Sequence, residues 1–479
     1  MPLDKIKIAI INPPASDGEK FVREGRCEQR ASSFQYLMVP ISLPSIAALL
    51  RSKGFEIKLI DCMAEELDES ATIRQIVKFK PKMVIINFST ATFYGDKDFT
   101  LKLKKCLPKT HLTAIGVHVT TMPKETLTET ALDSIIRGEP EMTALELAQK
   151  LQKKEKLKGI KGLTYRDNNS IINVPPRDFI HNLDGLPFPA RDLLKNDRYK
   201  MPVYNRPYTL VVTARGCPNN CSFCTANIYY GSKIRMRSPK NVLDEIEEII
   251  NVQHIKDITF WADTFTYDRK YVFDICEGIK KRGLKFRWMC NARVDKVDPE
   301  MLKIMKETGC QIISFGVESG SQKILNLVGK NITLKQIVQA FKWVRASKIE
   351  SAAHIIFGLS GETPETIKET IKFVKKINPD YIQFYSAIPF PGTRFGKEAT
   401  EKGWVTTKNW SDYELGKNII STPLLPVEEL ARWRRHAYLQ FYLRPGYVLS
   451  KFRNFVKKPS DFLPFVKQGI SFLKDWVEK

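Results

Sequence analysis

Six short apolar segments alternate with amphipathic segments through the middle of this 479-residue chain. The apolar segments have the length and composition of β-strands and are Thr209–Thr213, Asp257–Phe260, Phe286–Cys290, Gln311–Val317, Ala353–Leu359 and Tyr381–Tyr385. The helical segments between them are Val242–Ile250, Tyr271–Lys281, Met301–Glu307, Leu334–Ser347 and Thr366–Ile377. Repeated β-α units favour parallel strands joined by right-handed crossovers. The alternation therefore predicts a partial (β/α)6 barrel over residues 206–402.

Three of these helices are preceded by a capping residue and a proline, at Ser238-Pro239, Asp298-Pro299 and Thr363-Pro364. Proline suits the first turn of a helix because it lacks the N–H that has no intrahelical partner there. The dipeptides therefore predict where these helices begin.

Three cysteines, Cys217, Cys221 and Cys224, follow the first predicted strand with C-x-x-x-C-x-x-C spacing. Three thiolates in so short a loop can ligate three irons of a 4Fe-4S cluster, whereas full cysteine ligation needs a fourth. The other six cysteines are isolated in the sequence: Cys27, Cys62, Cys106, Cys276, Cys290 and Cys310. Zinc sites usually have a fourth ligand, and disulfide frameworks belong to small secreted chains. The spacing therefore predicts a cluster with one open iron, which is a catalytic arrangement.

The cysteine motif, with Phe223 before its third cysteine, resembles that of radical S-adenosylmethionine (SAM) enzymes. The resemblance implies that the open iron chelates the amino and carboxylate groups of SAM. An electron from the cluster then breaks a carbon–sulfur bond of SAM and releases a 5′-deoxyadenosyl radical. A donor such as ferredoxin or flavodoxin is the partner that this chemistry implies.

Polar residues at the ends of the later strands are similar to the family's SAM-binding pattern. By this resemblance, the residues that contact SAM beside Phe223 are Asp263, Arg293, Glu318, Ser319, Gly358 and Glu362. Asp263 would accept a hydrogen bond from the SAM ammonium group, and Arg293 would pair with the SAM carboxylate. Glu318 and Ser319 would bond the ribose hydroxyls and the carboxylate side. Alternatively, such residues cap helices or form ion pairs at the barrel rim.

Residues 1–150 form a separate α/β pattern that predicts a doubly wound, Rossmann-like sheet. Its predicted strands are Ile6–Ile11, Phe55–Ile60, Met83–Asn87, Leu112–Ile115 and Ser134–Ile136, with a helix at Leu43–Ser52. Ligands of such sheets bind beyond the carboxyl ends of the strands. No G-x-G-x-x-G follows the first strand, so a dinucleotide is not indicated.

The same residues resemble the cobalamin-binding domain that precedes many radical SAM barrels. By this resemblance, Ser89 and Thr90 would touch the nucleotide tail of cobalamin, while Gly116 and Gly138 would let the backbone approach it closely. The D-x-H-x-x-G motif that supplies a cobalt ligand elsewhere is absent, so we expect no histidine ligand. A relic domain that has lost the cofactor is the alternative.

The two remaining segments are a connector at 151–205 and a helical, basic and aromatic tail at 403–479. The connector contains a predicted hairpin, Gly162–Arg166 with Ile171–Val174, and a proline-rich strap. Residues 427–479 have eleven Lys or Arg against five Asp or Glu. This composition favours a helical cap on the barrel, and an anionic membrane surface or a lipid substrate is the alternative partner.

The formal net charge of +23 would suit nucleic acid, anionic membrane or anionic substrates, or only a lysine-rich surface. No apolar run reaches the ~18 residues that span a bilayer, and the N-terminus lacks a cationic, apolar leader. We therefore expect a cytoplasmic protein, with peripheral membrane contact left open.

The order of domains is similar to that of enzymes of bacteriochlorophyll ring formation, hopanoid and archaeal-lipid tailoring, and natural-product C-methylation. This similarity implies an enzyme that uses a 4Fe-4S cluster, SAM and cobalamin to methylate an unactivated carbon of a lipid or other small molecule. Cyclisation, ring rearrangement or oxygenation with the same cofactors is the alternative. A tRNA methylthiotransferase with a second cluster on Cys27, Cys62 and Cys106 fits less well, so we do not expect a nucleic-acid partner.

Overall fold

The computed structural model describes residues 6–15, 18–24, 29–30, 37–168, 170–201 and 205–449. Two sheets dominate these residues, a mostly parallel one of seven strands and a parallel one of six. Both predicted α/β patterns are therefore present. The part of the tail from 450 to 479 and Cys27 lie outside the described residues.

The N-terminal sheet has five parallel strands followed by an antiparallel hairpin. Its strands lie in the order Glu56–Asp61, Lys7–Asn12, Met83–Asn87, His111–Ile115, Ser134–Ile136, Leu163–Asp167 and Ser170–Asn173. The last two strands form the predicted hairpin, which lies in the stretch assigned to the connector and extends this sheet.

Helices cover both faces of this sheet because alternate residues of its strands are apolar on each side. Ile8 and Ile10 belong to one buried cluster, and Ala9 and Ile11 belong to the other. The helices are Ser42–Ser52, Cys62–Glu65, Glu69–Phe79, Phe93–Cys106, Val117–Thr121, Pro123–Glu129 and Pro140–Lys153.

The order in which the chain adds strands to this sheet reverses beside the first strand. From Lys7–Asn12 it runs to Glu56–Asp61 on one side and then to Met83–Asn87 on the other. A crevice forms beyond the carboxyl ends of strands at such a point, and ligands of doubly wound sheets bind there. Asn12 and Asn87 end the two strands, and the Asn87 amide donates to Asn12 Oδ1 at 3.4 Å.

The second sheet is the predicted open barrel. Its six parallel strands pair in chain order and are Tyr208–Val212, Asp257–Trp261, Arg287–Ala292, Cys310–Glu318, Glu350–Phe357 and Tyr381–Ser386. The helices of this region are Ala226–Tyr230, Pro239–Glu248, Arg269–Lys281, Pro299–Glu307, Gln322–Leu327, Leu334–Ala346, Pro364–Ile377 and Arg394–Glu401. A π-turn, Ile249–Gln253, extends the second of these helices beyond its predicted end.

The predicted helix starts are confirmed. Ser238, Asp298 and Thr363 are N-caps whose side chains accept a hydrogen bond from the backbone N–H three residues later. Each cap satisfies one of the N–H groups that a helix leaves without a partner in its first turn.

The described part of the tail packs on the rest of the molecule. Helix Val427–Tyr442 lies against the last barrel strand and helix Pro364–Ile377. The preceding segment has a short 3-10 turn, Trp410–Asp412, that contacts helix Phe93–Cys106 of the N-terminal domain. Within the described ranges, no helix combines the length and apolar character needed to cross a bilayer.

Candidate functional site

The cysteine loop follows the first barrel strand and is fixed by backbone hydrogen bonds. The Cys217 N–H donates to Gly231 O at 3.1 Å, and the Ser222 N–H donates to Val328 O at 2.9 Å. Gly216 has φ +91°, and a Cβ there would lie 2.2 Å from Lys233 O. Only glycine fits this position, so the residue before the first cysteine is set by the close approach of two backbones.

The three thiols of the loop line one cavity of about 300 Å³, which we call the barrel cavity. Cys217 is buried, and Cys221 and Cys224 are half-buried. Burial raises the pKa of the Cys221 thiol to about 11. The Asn219 amide donates to Cys217 Sγ at 3.4 Å, a bond of the kind that adjusts the potential of cluster sulfurs.

The donor set fits an iron–sulfur cluster. Within the described ranges, no three His, Cys, Asp or Glu side chains converge closely enough to hold a single metal ion. A 4Fe-4S cluster needs a different arrangement, because each thiolate binds its own iron around the cluster. Three thiols on the wall of one cavity meet that need.

Four of the predicted SAM contacts lie on the same cavity: Phe223, Asp263, Arg293 and Glu318. The structure thus brings together residues from the cysteine loop and from the ends of three barrel strands. Arg293 is buried and donates to Asp295 at 2.9 and 3.2 Å and to the Lys330 carbonyl at 3.2 Å.

Glu318 is held in an unusual conformation at the end of the fourth barrel strand. Its φ is +64°, and the strand pairing shifts register between Gly316 and Glu318. Its carboxylate accepts a hydrogen bond from Lys330 Nζ at 2.7 Å, and both side chains are buried. A Cβ on Gly316 would lie 2.3 Å from Glu318 Oε1 and 2.8 Å from Lys330 Nζ. The ion pair therefore occupies the space that a side chain at 316 would take.

The other three predicted SAM contacts are not on the cavity wall: Ser319, Gly358 and Glu362. Ser319 Oγ bonds Thr370 Oγ1 at 3.2 Å and accepts from the Ser321 N–H. Gly358, with φ +89°, donates its N–H to Glu362 Oε2 at 2.5 Å. Burial raises the pKa of Glu362 to about 8. In this structure these residues shape the turns behind the cavity.

Sequence reasoning missed two groups of residues on the cavity. One is Lys330, which follows a helix rather than a strand and so escaped a search of strand ends. The other is a set of inward-facing strand residues: Thr259, Trp261, Met289, Ser314, His354, Gln383 and Tyr385. The alternation of inward and outward positions along each strand is the signal that could have found this second set.

The predicted cobalamin contacts lie together at the carboxyl edge of the N-terminal sheet. Ser89 and Thr90 follow strand Met83–Asn87, Gly116 follows His111–Ile115, and Gly138 follows Ser134–Ile136. Gly116 has φ +128°, and a Cβ there would lie 2.1 Å from Phe88 O. Gly138 has φ +70° with open space beside it. At Gly116 the glycine is required by the close approach of the Phe88 backbone. At Gly138 the space beside the backbone is open to a ligand.

A buried polar network surrounds Ser89. Ser89 Oγ bonds Thr92 Oγ1 at 2.8 Å, and Thr92 Oγ1 donates to Asp96 Oδ2 at 2.6 Å. Arg23 Nη1 donates to both Asp96 oxygens at 2.7 and 2.8 Å and to the Asn87 carbonyl. Burial raises the pKa of Asp96 to about 6, although Arg23 opposes this shift.

Arg23 also lines a small cavity of about 10 Å³ beside Gly116, together with Glu24 and Tyr229. Its Nε and Nη2 atoms are buried and have no hydrogen-bond partner among the described residues. Buried donors without a protein partner can donate hydrogen bonds to a polar group of a ligand at the strand ends. Arg23 reaches the end of strand Met83–Asn87 through its bond to the Asn87 carbonyl.

His118, two residues after Gly116, is buried between Phe93 and Trp410, with ring centroids 4.9 and 5.2 Å away. Burial lowers the pKa of His118 to about 4, and neither ring nitrogen has a hydrogen-bond partner among the described residues. The imidazole does not line the cavity beside Gly116.

A buried ion-pair network connects the two domains beside the cysteine loop. Arg215 donates to Glu139 at 3.2 Å and to Glu141 at 2.5 Å. Arg235, paired with Arg215 in a two-residue ribbon, donates to both oxygens of Glu139 at 2.8 Å. All four side chains are at least 90% buried. The N-terminal domain thus holds the arginine that precedes Gly216 and Cys217.

Comparisons with known proteins agree with this arrangement. Residues 211–374 match the radical SAM superfamily, and residues 30–148 match the B12 binding domain. The chain is 37% identical to an uncharacterised methyltransferase of Pyrococcus horikoshii, over 86% of this chain and 89% of that protein. It is 26% identical to the anaerobic magnesium-protoporphyrin IX monomethyl ester cyclase of Rubrivivax gelatinosus, over 92% of this chain and 80% of the cyclase.

A solved structure shows the same fold. It is the radical SAM methyltransferase TsrM from Kitasatospora setae with cobalamin and a 4Fe-4S cluster bound. The TM-score is 0.69 at 18% identity, over 84% of this chain and 79% of that one.

Proposed function

Because this chain belongs to the cobalamin-dependent radical SAM methyltransferase family, we propose that it methylates an unactivated carbon of a small-molecule substrate. The family's cofactors are a 4Fe-4S cluster, SAM and cobalamin, which together supply a 5′-deoxyadenosyl radical and a transferable methyl group. The observation that supports the proposal best is the barrel cavity. It combines three thiols with four of the predicted SAM contacts, one in the cysteine loop and three at strand ends, and the loop that carries the thiols is held by the B12-binding domain.

The chain's own residues have distinct roles in this proposal. Cys217, Cys221 and Cys224 hold the cluster, and Asp263 accepts from the SAM ammonium group. Arg293 and the Glu318–Lys330 pair orient the rest of SAM. The walls of the cavity, which are buried or half-buried, would limit the access of water to a carbon radical.

At the N-terminal domain, Ser89, Thr90, Gly116 and Gly138 would contact cobalamin. The unpartnered donors of Arg23 extend that set. His118 lies between two aromatic rings and away from the small cavity, so it supports binding without a histidine ligand.

The test begins with anaerobic purification and measurement of iron, sulfide and cobalamin. The loaded protein should hold about four irons, the content of one cluster. Replacing Cys217, Cys221 and Cys224 together with Ala should remove that iron, whereas Cys106→Ala, at an exposed thiol, should not. Iron retained by the triple variant would contradict the assignment.

The reaction is then tested with SAM that carries a deuterated methyl group and the small-molecule fraction of a cell extract. Methyl transfer should give a product bearing the deuterated methyl group, with 5′-deoxyadenosine and S-adenosylhomocysteine formed in equal amounts. The similarity to the cyclase supports radical cyclisation as a second candidate function. Cyclisation would give 5′-deoxyadenosine without S-adenosylhomocysteine, so the ratio of these two products separates the two functions.

Two partners belong to the proposal. Electrons for SAM cleavage would come from a ferredoxin- or flavodoxin-type donor. Peripheral contact with an anionic membrane, or a lipid substrate, would involve residues 450–479, which lie outside the described range and carry seven Lys or Arg against three Asp or Glu. Sedimentation with anionic and neutral vesicles tests the membrane contact, because an electrostatic contact should weaken as salt is added.

A further inference from the structure

Among the described residues, the charged side chains that line the barrel cavity all lie at one end. They are Asp263, Arg293, Glu318 and Lys330, and each follows or ends an element at the carboxyl side of the sheet. The inward-facing residues of the strands themselves include no Asp, Glu, Lys or Arg on this cavity. The cavity is therefore divided into a charged half beside the cysteines and an uncharged half within the barrel.

Strand pairing shows that residues lining the uncharged half lie side by side on neighbouring strands. Gly316 pairs with His354, and His354 pairs with Gln383. Asn291 pairs with Ser314 on the neighbouring strands. Residues paired in this way point to the same face of the sheet, so their side chains form one wall.

Aromatic rings form much of this wall. His354 and Tyr385 stack with ring centroids 5.7 Å apart and planes 19° from parallel. Trp261 lines the same cavity from the second barrel strand. The strands of His354 and Tyr385 are the fifth and sixth, three and four strands further along the sheet. All three residues line one cavity, so a flat group held there can pack against aromatic rings.

The uncharged half is also polar. Gln383, Asn291 and Ser314 present amide and hydroxyl groups to the cavity. The Thr259 hydroxyl is buried and has no hydrogen-bond partner among the described residues. Gln383 Oε1 already accepts from the Tyr385 hydroxyl, whereas a saturated hydrocarbon chain would leave the Thr259 hydroxyl without a partner, at a cost in free energy. A charged group in this half would lose its hydration, and the cations of the other half are already paired, Arg293 with Asp295 and Lys330 with Glu318.

We infer that the part of the substrate that enters the barrel is an uncharged, flat ring system with at least one hydrogen-bonding group. This inference rests on the proposed function, and it narrows the substrate from small molecules in general to uncharged aromatic or heteroaromatic compounds. Tyr385, His354 and Trp261 would contact the ring faces, and Gln383 and Thr259 would bond its polar edge.

The test uses three probes and measures binding rather than turnover, so it is independent of whether methyl transfer occurs. Quinoline is a neutral heteroaromatic, quinoline-2-carboxylate is its anionic analogue, and 1-octanol represents a saturated chain. Binding to the holoenzyme with SAM is measured by saturation-transfer NMR at pH 8, above the ordinary pKa of an imidazole. We expect quinoline to bind at least about tenfold more tightly than the other two, because the barrel offers ring faces and the cations of the cavity are already paired.

Variants connect the binding to this wall. Tyr385→Leu and Trp261→Leu should each weaken quinoline binding about three- to tenfold. Tyr381→Leu is the matched control, because Tyr381 lies on the same strand and does not line the cavity. Equal or tighter binding of the carboxylate would overturn the inference. So would tighter binding of octanol, or quinoline binding that Tyr385→Leu and Trp261→Leu leave unchanged.

Discussion

At the scale of single residues, the site depends on a glycine whose missing side chain leaves room for two charged groups. This glycine is Gly316, because the Glu318–Lys330 pair occupies the place of its missing Cβ. Glu318 itself has a positive φ, a conformation that costs energy in a residue other than glycine and is often found at functional sites. The sequence around Gly316 therefore does not by itself show that Glu318 and Lys330 form a fixed ion pair.

Gly316→Ala should displace this ion pair and weaken SAM binding. Relieving the overlap of the new Cβ with Glu318 Oε1 should cost about 1–3 kcal/mol, or roughly five- to a hundredfold in affinity. Equilibrium dialysis of SAM with the reconstituted protein measures the effect. Gly416→Ala is the control, since a Cβ at Gly416 meets nothing within 4 Å. An unchanged SAM affinity in Gly316→Ala would contradict a role for the ion pair in binding.

Glu362 gives a prediction about pH. Burial raises its pKa to about 8 in the folded protein, although the backbone N–H groups of Gly358 and Leu359 oppose the shift. Above its unfolded pKa of about 4.5, the folded state keeps a proton that the unfolded state loses. The free energy of unfolding should therefore fall as pH rises from about 4.5 to 8, and this contribution should level off above that range.

Glu362→Gln removes this titration, so the free energy of unfolding of the variant should fall less as pH rises over the same range. The difference in slope is at most about 1.4 kcal/mol per pH unit. Glu24 and Asp96 also have raised pKa values, so the wild type and the variant are compared rather than either one alone. Denaturant unfolding at several pH values measures the slopes, and Glu401→Gln, at an exposed side chain, is the control. Parallel curves for wild type and Glu362→Gln would show that Glu362 does not hold the proton.

At the scale of elements, the last barrel strand shows how the open edge of the sheet is covered. Tyr438 and Tyr442 extend from helix Val427–Tyr442 to this strand. The Tyr438 hydroxyl accepts from the Phe384 N–H at 2.9 Å and donates to the Phe384 carbonyl at 3.3 Å. The Tyr442 hydroxyl accepts from the Ile382 N–H at 3.1 Å and donates to its carbonyl at 2.8 Å. The hydroxyls therefore replace the missing neighbour strand.

Tyr438→Phe and Tyr442→Phe should each destabilise the protein by about 1–3 kcal/mol, because each leaves a backbone N–H and C=O without partners. Chemical denaturation followed by circular dichroism measures the loss. Tyr94→Phe, at an exposed ring, should change stability little. If both edge variants are as stable as the control, water satisfies the strand and the helix only covers it.

The sequence predicts local elements well and distant pairings poorly. Strands with apolar runs and helices with capping residues were predicted to within a few residues, because these signals lie within a few positions of each other. The aromatic residues of the tail suggested either a cap or a membrane contact. Only the structure shows that Tyr438 and Tyr442 meet strand residues 54 and 60 positions earlier. Lys330 escaped sequence analysis for a related reason, since the fold brings it back to Glu318 from beyond the next helix.

At the scale of the whole molecule, the two α/β domains and the described part of the tail form one connected unit. The ion pairs of Glu139 and Glu141 with Arg215 and Arg235 join the N-terminal domain to the cysteine loop. On another side, Trp410 packs on His118, and Arg30 pairs with Glu414 at 3.1 Å. These contacts fix the strand ends that are predicted to contact cobalamin relative to the barrel cavity. Methyl transfer requires such a fixed relation, because the reacting groups must meet within contact distance.

Glu139→Gln tests whether the buried network sets this relation. Removing the charge leaves Arg215 and Arg235 poorly compensated, and breaking a buried ion pair costs about 3–5 kcal/mol. We expect lower stability and less methyl transfer. Iron content and the formation of 5′-deoxyadenosine should stay near the wild-type level, because the cysteines and the SAM contacts are unchanged. The ratio of S-adenosylhomocysteine to 5′-deoxyadenosine should therefore fall.

Glu69→Gln is the matched control for this experiment. It removes a glutamate that pairs with Lys102, whose side chain is largely exposed, and exposed pairs contribute about 0–1 kcal/mol. A loss of stability alone would lower both products together, so the ratio separates positioning from folding. If Glu139→Gln loses iron and both products in proportion, the network serves the stability of the cysteine loop and not the placement of cobalamin. A lowered ratio with intact iron would show that the buried glutamate aligns the two domains for methyl transfer.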